Sequence, residues 1–435
     1  MTSTAVAADG GRVSPTRRAS AALTLATVAV YADIYITQPI LPVLSREFRV
    51  RPATAGLSIS IVVLMIAIVS IPYGSLSDAV GRKPVMVTTL FLLGVPTLLC
   101  AVAPSFPVLV VFRGLQGALI PGVTAIAVAY LGDAYPVEEL GPKVGGWIAA
   151  SVAGGLIGRV VSGLLADWTN WRAPFLLFGV LTIAAAAGLA RELPRAPSRP
   201  VRLALAGREI TQHFSNRRLI GAFVIGGAVF FCFIGIFTYL PYYLTSPPFR
   251  LSTAFVSSIY LVYVAGIFTS IASGRLSRRF GGRRVMAVGL VIAALAVTGT
   301  LIRFVPAIIG SLVILCVGMF TVQSTAPAFV NSNARTGKGA AGALYVGFYY
   351  VGATFGSILP GLAWQAWGWP GVVSSCVTAL AVGPSRRRGA LRLAPQQAAD
   401  RRGQGNAGRR EKKRKPRGAC GAGRGIRFRS TTPDV

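Results

Sequence analysis

The chain has 435 residues, of which 53% are hydrophobic and 13% are charged, and its formal net charge is +31. The charged fraction is about half that of soluble domains, which excludes an ordinary soluble globular protein. Asp and Glu are scarce (13 residues) and His occurs once, so hydrolytic and metal chemistry are disfavoured, and we expect no enzyme activity, no metal site and no cofactor.

Twelve apolar runs follow one another along the chain. Most have the length, about 20 residues, at which a helix crosses the hydrocarbon core of a bilayer. The runs lie at 20–44, 55–77, 85–103, 106–131, 144–166, 173–190, 218–244, 253–274, 285–302, 305–330, 341–363 and 369–383. We therefore predict an all-α membrane protein with twelve transmembrane helices in two pseudo-symmetric six-helix bundles, at 20–190 and 218–383.

Polar segments flank and separate these two bundles. Residues 1–19 predict a disordered cytoplasmic tail, and residues 191–217, rich in Arg and Pro, predict a cytoplasmic linker. The last apolar run is short, and residues 384–435 are rich in Arg, Gly, Ala and Pro, a composition that cannot form a packed core. Two explanations are open for this basic, disordered tail: a change of reading frame that cut the twelfth helix short, or a genuine tail that binds anionic lipid.

Positive charge is distributed unevenly between the two sides of the predicted helices. Of the 44 Lys and Arg residues, 20 fall in segments on the side of the termini and six on the opposite side. Another 16 belong to the C-terminal tail. This asymmetry follows the positive-inside rule and predicts that both termini are cytoplasmic. It also accounts for the high charge without nucleic-acid binding.

Two stretches 200 residues apart carry the same pattern, and each joins two apolar runs. They begin at Gly74 and Gly274 and read GSLSDAVGRKPVM and GRLSRRFGGRRVM. A duplicated helical membrane protein with parallel halves has the architecture of a secondary transporter.

The first stretch resembles the hallmark motif of the major facilitator superfamily, in the loop between the second and third helices. The second stretch fits the weaker copy of that motif, with Arg278 in place of the acid. Arg113-Gly-Leu-Gln116-Gly117 is similar to a motif of proton-coupled exporters, and Pro39-Ile-Leu-Pro42 is typical of the drug and sugar efflux branch. Gly158-Arg159, with Asp167 and Trp171-Arg172 downstream, resembles bacterial inner-membrane exporters of the arabinose-efflux type. The resemblance covers residues 20–382. The Gly-Pro pair that such exporters often carry in the fifth helix is absent.

Three ionisable residues fall at membrane depth, where a charge is costly and marks a candidate site: Asp33, Arg113 and Arg159. With a helical rise of about 1.5 Å per residue, counting along each predicted span places all three at nearly the same depth in the bilayer. Asp33 is the one carboxylate inside any predicted span, which makes it the leading proton site; an Asp between two Arg could also form a structural ion pair.

A second charged set is predicted at the cytoplasmic face. The resemblance implies that Asp78 and Arg82 clamp neighbouring helices when the carrier faces outward, and Asp133 ends the fourth span nearby. Gly74, Gly81 and Lys83 complete this predicted latch, whose alternative role is topogenic charge.

The substrate pocket is predicted from the helices that line the central cavity in this fold. They supply Tyr and Gln side chains that could hydrogen-bond a solute, although an interfacial aromatic belt would also explain the tyrosines. The candidates are Gln38, Gln116, Tyr239, Tyr242, Gln323 and Tyr349, with Tyr243, Tyr345 and Tyr350 beside them. The predicted spans place one acid, Asp33, and two arginines, Arg113 and Arg159, near the cavity, and this charge balance favours neutral or anionic solutes.

These observations predict a monomeric, multi-pass transporter of the bacterial inner membrane that exports a small molecule in exchange for protons by alternating access. Its expected partners are the solute, protons and the lipid bilayer. A solute/proton symporter and a non-transporting receptor or inactive remnant remain alternatives.

Overall fold

The computed structural model describes residues 16–194, 216–334 and 338–385. Within these ranges all regular structure is helical. Three predicted polar segments fall largely outside the described ranges. These are residues 1–15 of the predicted tail at 1–19, residues 195–215 of the predicted linker at 191–217, and the C-terminal tail from residue 386.

The helices are joined mostly by short turns. In chain order they are α1 (Arg17–Tyr35), α2 (Leu41–Glu47), α3 (Pro52–Val80), α4 (Arg82–Ala101), α5 (Phe106–Leu119), α6 (Pro121–Thr124), α7 (Ala127–Ala134), α8 (Val137–Trp168), α9 (Ala173–Glu192), α10 (Arg217–Thr245), α11 (Thr253–Ser258), α12 (Tyr263–Phe280), α13 (Gly282–Gly299), α14 (Val305–Asn333) and α15 (Lys338–Ser385). A 3₁₀ turn, Ile259–Val262, joins α11 to α12. We call α1 to α9 the first half and α10 to α15 the second half.

Every predicted apolar run coincides with helix, so the all-α membrane prediction is confirmed. Within the described ranges, ten helical stretches are long and apolar enough to cross a membrane. The last of them, Ala341–Ala381, covers two predicted runs, because α15 bends at Gly368, where φ is 61°. The first predicted run is divided between α1 and α2.

The two repeated motifs form equivalent turns at one end of the molecule. Gly81 between α3 and α4 has φ 103°, and Gly281 between α12 and α13 has φ 84°. In each turn the glycine N–H donates to a serine carbonyl four residues back, Ser77 or Ser277, at 3.0 Å. Only glycine adopts such φ values without strain, which explains why the motif has glycine there. We call this the motif end and the opposite end, with the loops around residues 36–51, 169–172 and 246–252, the far end.

Two pairs of small residues let helices approach closely. A Cβ added to Gly154 or Gly158 of α8 would lie 2.5 to 2.6 Å from backbone atoms of α1. A Cβ added to Gly352 or Gly356 of α15 would lie 2.1 to 2.4 Å from backbone atoms of α10. Each pair has the small-xxx-small spacing that lets two helices pack closely, and it is used in the same way in both halves.

Candidate functional site

The Asp33 carboxylate is fully buried inside the first half. Its Oδ2 accepts hydrogen bonds from Thr97 of α4 at 3.0 Å and from Thr182 of α9 at 3.4 Å. Its Oδ1 is buried and has no hydrogen-bond partner. An unpartnered buried carboxylate oxygen is costly, so Asp33 carries an unfilled bonding position.

Arg113 is also fully buried, and it bonds to backbone instead of to a carboxylate. Nε donates to the carbonyl oxygen of Ser58 at 3.0 Å, while Nη1 and Nη2 donate to the carbonyl oxygens of Asp33 and Ile34 at 2.8 Å each. Nη1 also donates to Gln116 Oε1 at 2.7 Å. Arg113 therefore ties α5 to the backbones of α1 and α3.

The expected alternative of a structural ion pair between Asp33 and Arg113 does not describe this arrangement. None of the ion pairs found in the described ranges includes either residue. Their side chains are linked indirectly: Thr97 donates to Asp33 and accepts from Gln116 Nε2 at 2.7 Å, and Gln116 accepts from Arg113. Gln116, predicted on the pocket wall, instead belongs to this buried network.

Arg159 is separate from that network and is 2% exposed. Its Nε donates to Gln38 Oε1 at 2.6 Å and its Nη1 donates to the Gly155 carbonyl oxygen at 2.7 Å. The guanidinium carbon lies 3.6 Å from the ring centroid of Tyr35, 4.9 Å from that of Tyr263 and 5.6 Å from that of Tyr260. Arg159 thus reaches from the first half into a group of aromatic rings that includes two tyrosines of the second half.

The two halves meet at the far end. In the described part of the chain, the side-chain hydrogen bonds that join them are Gln38 to Thr238, Ser45 to Tyr242, Tyr242 to Leu41, Ser60 to Ser357 and Thr253 to Asp167. Each lies in the portion of its helices nearer the far end. The structure is therefore closed at that end.

The charged residues of the first motif meet at the motif end. Arg82 Nη1 lies 3.2 Å from Asp78 Oδ1, and Arg82 Nε donates to Asp133 Oδ2. Arg82 is 7% exposed, so this ion pair is partly shielded from water. It joins the end of α3, the start of α4 and the end of α7. Gly74 has open space beside it, and Lys83 is not among the ion pairs of the described residues.

Several predicted pocket residues serve packing in this structure. Tyr239 donates to the Ser357 carbonyl oxygen at 2.6 Å, and Tyr242 donates to the Leu41 carbonyl oxygen at 3.0 Å. Gln323 Nε2 donates to the Tyr349 hydroxyl at 2.6 Å, and the Tyr349 ring stacks on Phe230 with centroids 3.7 Å apart. Tyr239 and Tyr242 thus stabilise the far end, whereas Gln323 bonds to Tyr349 of a separate aromatic group that also contains Tyr345 and Tyr350.

Sequence reasoning missed the residues that surround the charges. Thr97 and Thr182 carry no motif, and only the contact with Asp33 distinguishes them from other threonines in apolar helices. Tyr260 and Tyr263 lie three residues apart, which places them on one side of a helical segment, but nothing in the sequence connects them to Arg159.

A cavity of about 210 Å³ lies at the motif end of the first half. Ser20 of α1, Tyr135 after α7, and Lys143 and Trp147 of α8 are among its lining residues. Lys143 Nζ lies 4.6 Å from the Tyr135 ring centroid. None of the residues predicted for the substrate pocket lines this cavity.

A bundle of apolar, membrane-length helices with buried charges and a duplicated turn motif defines a multi-pass membrane transporter. The sequence model described as Major Facilitator Superfamily matches residues 23–357. The chain belongs to this superfamily. Its members move small molecules across membranes and are not enzymes, so the predictions of the family and of a non-enzymatic role are confirmed.

Relatives from two bacteria cover most of the chain. It is 33% identical over 348 residues to the uncharacterized MFS-type transporter YybF of Bacillus subtilis, covering 79% of this chain and 86% of that protein. It is also 33% identical over 361 residues to the inner membrane transport protein YnfM of Escherichia coli, covering 82% and 86%.

Solved structures have the same fold at lower identity. A bacterial homolog of the human lysosomal transporter Spinster, inward-facing and occupied, matches with a TM-score of 0.70 at 18% identity, over 86% of this chain and 98% of that one. A D-xylose-proton symporter matches with a TM-score of 0.67 at 16% identity, over 85% and 97%.

Proposed function

We propose that this transporter exports a small molecule across the bacterial inner membrane in exchange for protons. The two halves, at 20–190 and 218–383, would rock about their interface and open the central site to each side in turn. The excess of Lys and Arg at the motif end supports a cytoplasmic motif end and cytoplasmic termini. The name of the Escherichia coli relative supports the inner membrane.

The observation that carries the proposal is the unfilled position on the Asp33 carboxylate. Oδ1 is buried without a hydrogen-bond partner, and no Lys, Arg or His nitrogen among the described residues lies within 4.0 Å of the carboxylate oxygens. Burying an unpaired charge is costly, and binding a proton both removes that charge and adds a donor. Asp33 is thus the proposed proton site, and Arg113, bonded to the Asp33 backbone carbonyl, positions it.

The far-end contacts support a carrier that closes one side at a time. With the motif end in the cytoplasm, the hydrogen bonds between the halves close the outer side. The Arg82 ion pairs lie at the other end, where they would act as a latch that breaks and re-forms as the halves move. The Arg113-Gly-Leu-Gln116-Gly117 motif favours export over import.

The test is proton movement in inverted membrane vesicles that contain the full chain. A pH-sensitive dye would report proton release as sugars, organic anions and drugs are added one at a time. We expect at least one compound to release protons from vesicles with wild type. Asp33→Asn should abolish that release, because Asn cannot take up and lose a proton.

Glu47→Gln is the matched control, because it removes a carboxylate that is 43% exposed at the far end and pairs with Arg172. This variant should behave as wild type. Proton release undiminished in Asp33→Asn would contradict the assignment of the proton site. Proton movement in the same direction as the solute would indicate symport instead of exchange. No response to any compound, in vesicles shown to contain the protein, would oppose the exporter.

A further inference from the structure

Arg159 is a buried cation without an acid to pair with. It is 2% exposed, and none of the ion pairs in the described part of the chain involves it. Two of its nitrogens donate to neutral oxygens, those of Gln38 and Gly155. The third, Nη2, is buried and has no hydrogen-bond partner. A buried guanidinium ordinarily has its charge paired and its donors filled, so this side chain lacks a counterion.

The rings around Arg159 offset part of that cost. Tyr35 and Tyr263 place their faces 3.6 and 4.9 Å from the guanidinium carbon, within the range of cation–π attraction. A ring face attracts a cation, but it is a far weaker hydrogen-bond acceptor than a carboxylate oxygen. The Tyr35 hydroxyl also lies near the guanidinium, but no acceptor meets hydrogen-bond geometry at Nη2, so the rings hold the charge while that donor stays unfilled.

One of these rings, that of Tyr263, carries a second unfilled donor. The Tyr263 hydroxyl is buried and has no hydrogen-bond partner. The neighbouring Tyr260 differs, because its hydroxyl donates to the Phe237 carbonyl oxygen at 2.7 Å. A guanidinium N–H and a phenol O–H both donate, and the group that satisfies two such donors is an oxygen pair that only accepts, such as a carboxylate or a sulfonate.

The position of Arg159 suits a carried solute better than a permanent ion. Tyr35 belongs to the first half, whereas Tyr260 and Tyr263 belong to the second half. Gln38, the other partner of Arg159, bonds across the halves to Thr238. Any separation of the halves at the far end moves the two second-half rings away from the guanidinium and exposes its free donor.

We propose that Arg159 and the Tyr263 hydroxyl bind the charged group of the solute, and that the solute is a small organic anion, a carboxylate or a sulfonate. This inference rests on the proposed function, since it names the substrate class of the same carrier. The anion enters between Arg159 of the first half and Tyr263 of the second half when the halves move apart, and it accepts from both donors. Gln38 keeps the guanidinium oriented through Nε.

The first experiment measures binding to the purified full chain in detergent, without a proton gradient. Radiolabelled benzoate is the probe, followed by a scintillation proximity assay. Acetate, succinate and benzenesulfonate are anionic competitors. Benzamide and benzamidine share the ring of benzoate but are neutral and cationic. We expect one or more anions to bind or compete, and the neutral and cationic compounds to do neither.

Substitutions of Arg159 and Tyr263 test whether the two unfilled donors bind the anion. Arg159→Gln should weaken anion binding about 100-fold, because a charged donor pair is lost. Arg159→Lys should recover part of the affinity, since it restores the charge but not the paired geometry. Tyr263→Phe keeps the ring and should weaken binding about tenfold.

Two control variants should bind as wild type. Arg172→Gln removes an arginine that is 44% exposed at the far end. Tyr130→Phe removes a hydroxyl that donates to the Pro194 carbonyl oxygen near the motif end. If Arg159→Gln does not fold, shown by size-exclusion chromatography, Tyr263→Phe and Arg159→Lys decide the question.

The outcomes separate this inference from the proposed function. The anion site is overturned if no anion binds wild type, or if an anion binds Arg159→Gln and Tyr263→Phe as well as wild type. A neutral or cationic solute that drives proton release would also overturn it, while leaving the exporter intact. Anion binding that depends on Arg159, without proton movement for any compound, would support the site and oppose the exporter.

Discussion

Gln38 donates a hydrogen bond from Nε2 to Thr238 Oγ1 over 3.1 Å, and the two residues are 200 positions apart. The same spacing separates the two copies of the repeated motif, so Gln38 and Thr238 occupy matching positions in the two halves. Matching positions contact each other beside the axis that relates two copies. Gln38 also accepts from Arg159 at 2.6 Å, which places that guanidinium close to the centre of the interface.

Closing the far end covalently should stop the transport cycle. Ser60 Oγ of α3 and Ser357 Oγ of α15 are 2.6 Å apart across the halves. Cysteines at these two positions are close enough for a disulfide, whose sulfur atoms lie about 2.05 Å apart. We expect oxidation of the Ser60→Cys/Ser357→Cys pair to abolish solute-driven proton release, and reduction to restore it, with the cross-link confirmed by mass spectrometry.

The single cysteine variants are the controls for that experiment. Four of the native cysteines, at 100, 232, 316 and 376, are buried and free. With the fifth, Cys420, replaced by Ser in every variant, each single variant should respond alike with and without oxidant. A cross-linked pair that still transports would show that the far end need not open.

The two copies of the repeated motif should differ in their contribution to stability. Arg82 is paired with Asp78 and Asp133, whereas Arg278 of the second copy is in none of the ion pairs of the described residues. Arg82→Gln should lower the free energy of unfolding by about 1–3 kcal/mol, because charged acceptors lose their partner. Arg278→Gln should change it by less than about 0.5 kcal/mol. Thermal unfolding in detergent measures both, and equal shifts would contradict the latch geometry.

Glycine is required on one side of α8 but not on the other. A Cβ at Gly158 would lie 2.6 Å from the Cα of Ala32, whereas a Cβ at Gly146 would have nothing within 4 Å. Gly158→Ala should therefore destabilise the protein by about 1–3 kcal/mol through overpacking. Gly146→Ala should be neutral or stabilise it by up to about 1 kcal/mol, since Ala favours helix. The midpoint of thermal unfolding distinguishes the two, and similar values would argue against close packing of α1 on α8.

Substitutions of Arg113 and Asp33 should have different effects, the first lowering stability and the second abolishing transport. Arg113→Lys should destabilise the fold by about 3 kcal/mol or more, because one ammonium group cannot reach the carbonyl groups that the guanidinium bonds on α1 and α3. Asp33→Asn leaves those carbonyl groups in place, so it should fold as wild type while losing proton release. Size-exclusion profiles and unfolding midpoints test the first statement. Loss of folding in Asp33→Asn would indicate a structural role for the carboxylate.

The sequence predicted the membrane helices, the duplicated motif and the family. Run length and composition suffice for the helices, because a segment in hydrocarbon must satisfy its backbone internally and cover itself with apolar side chains. The turns at Gly81 and Gly281 follow from a local pattern that repeats after 200 residues. The four-residue spacing of the glycine pairs in α8 and α15 places each pair on one helix face, and this local pattern is typical of close helix packing.

The partners of the buried charges were decided by tertiary structure. Position along the apolar runs marked Asp33, Arg113 and Arg159 as candidates, and all three are buried, but contact depends on how each helix is rotated and crossed by its neighbours. That rotation turns Arg113 toward backbone carbonyl groups and Arg159 toward tyrosine rings, and a single sequence does not specify it. The sequence by itself determined which residues enter the membrane, because that depends on local hydropathy. The tertiary structure decided which of them meet, because that depends on helix packing.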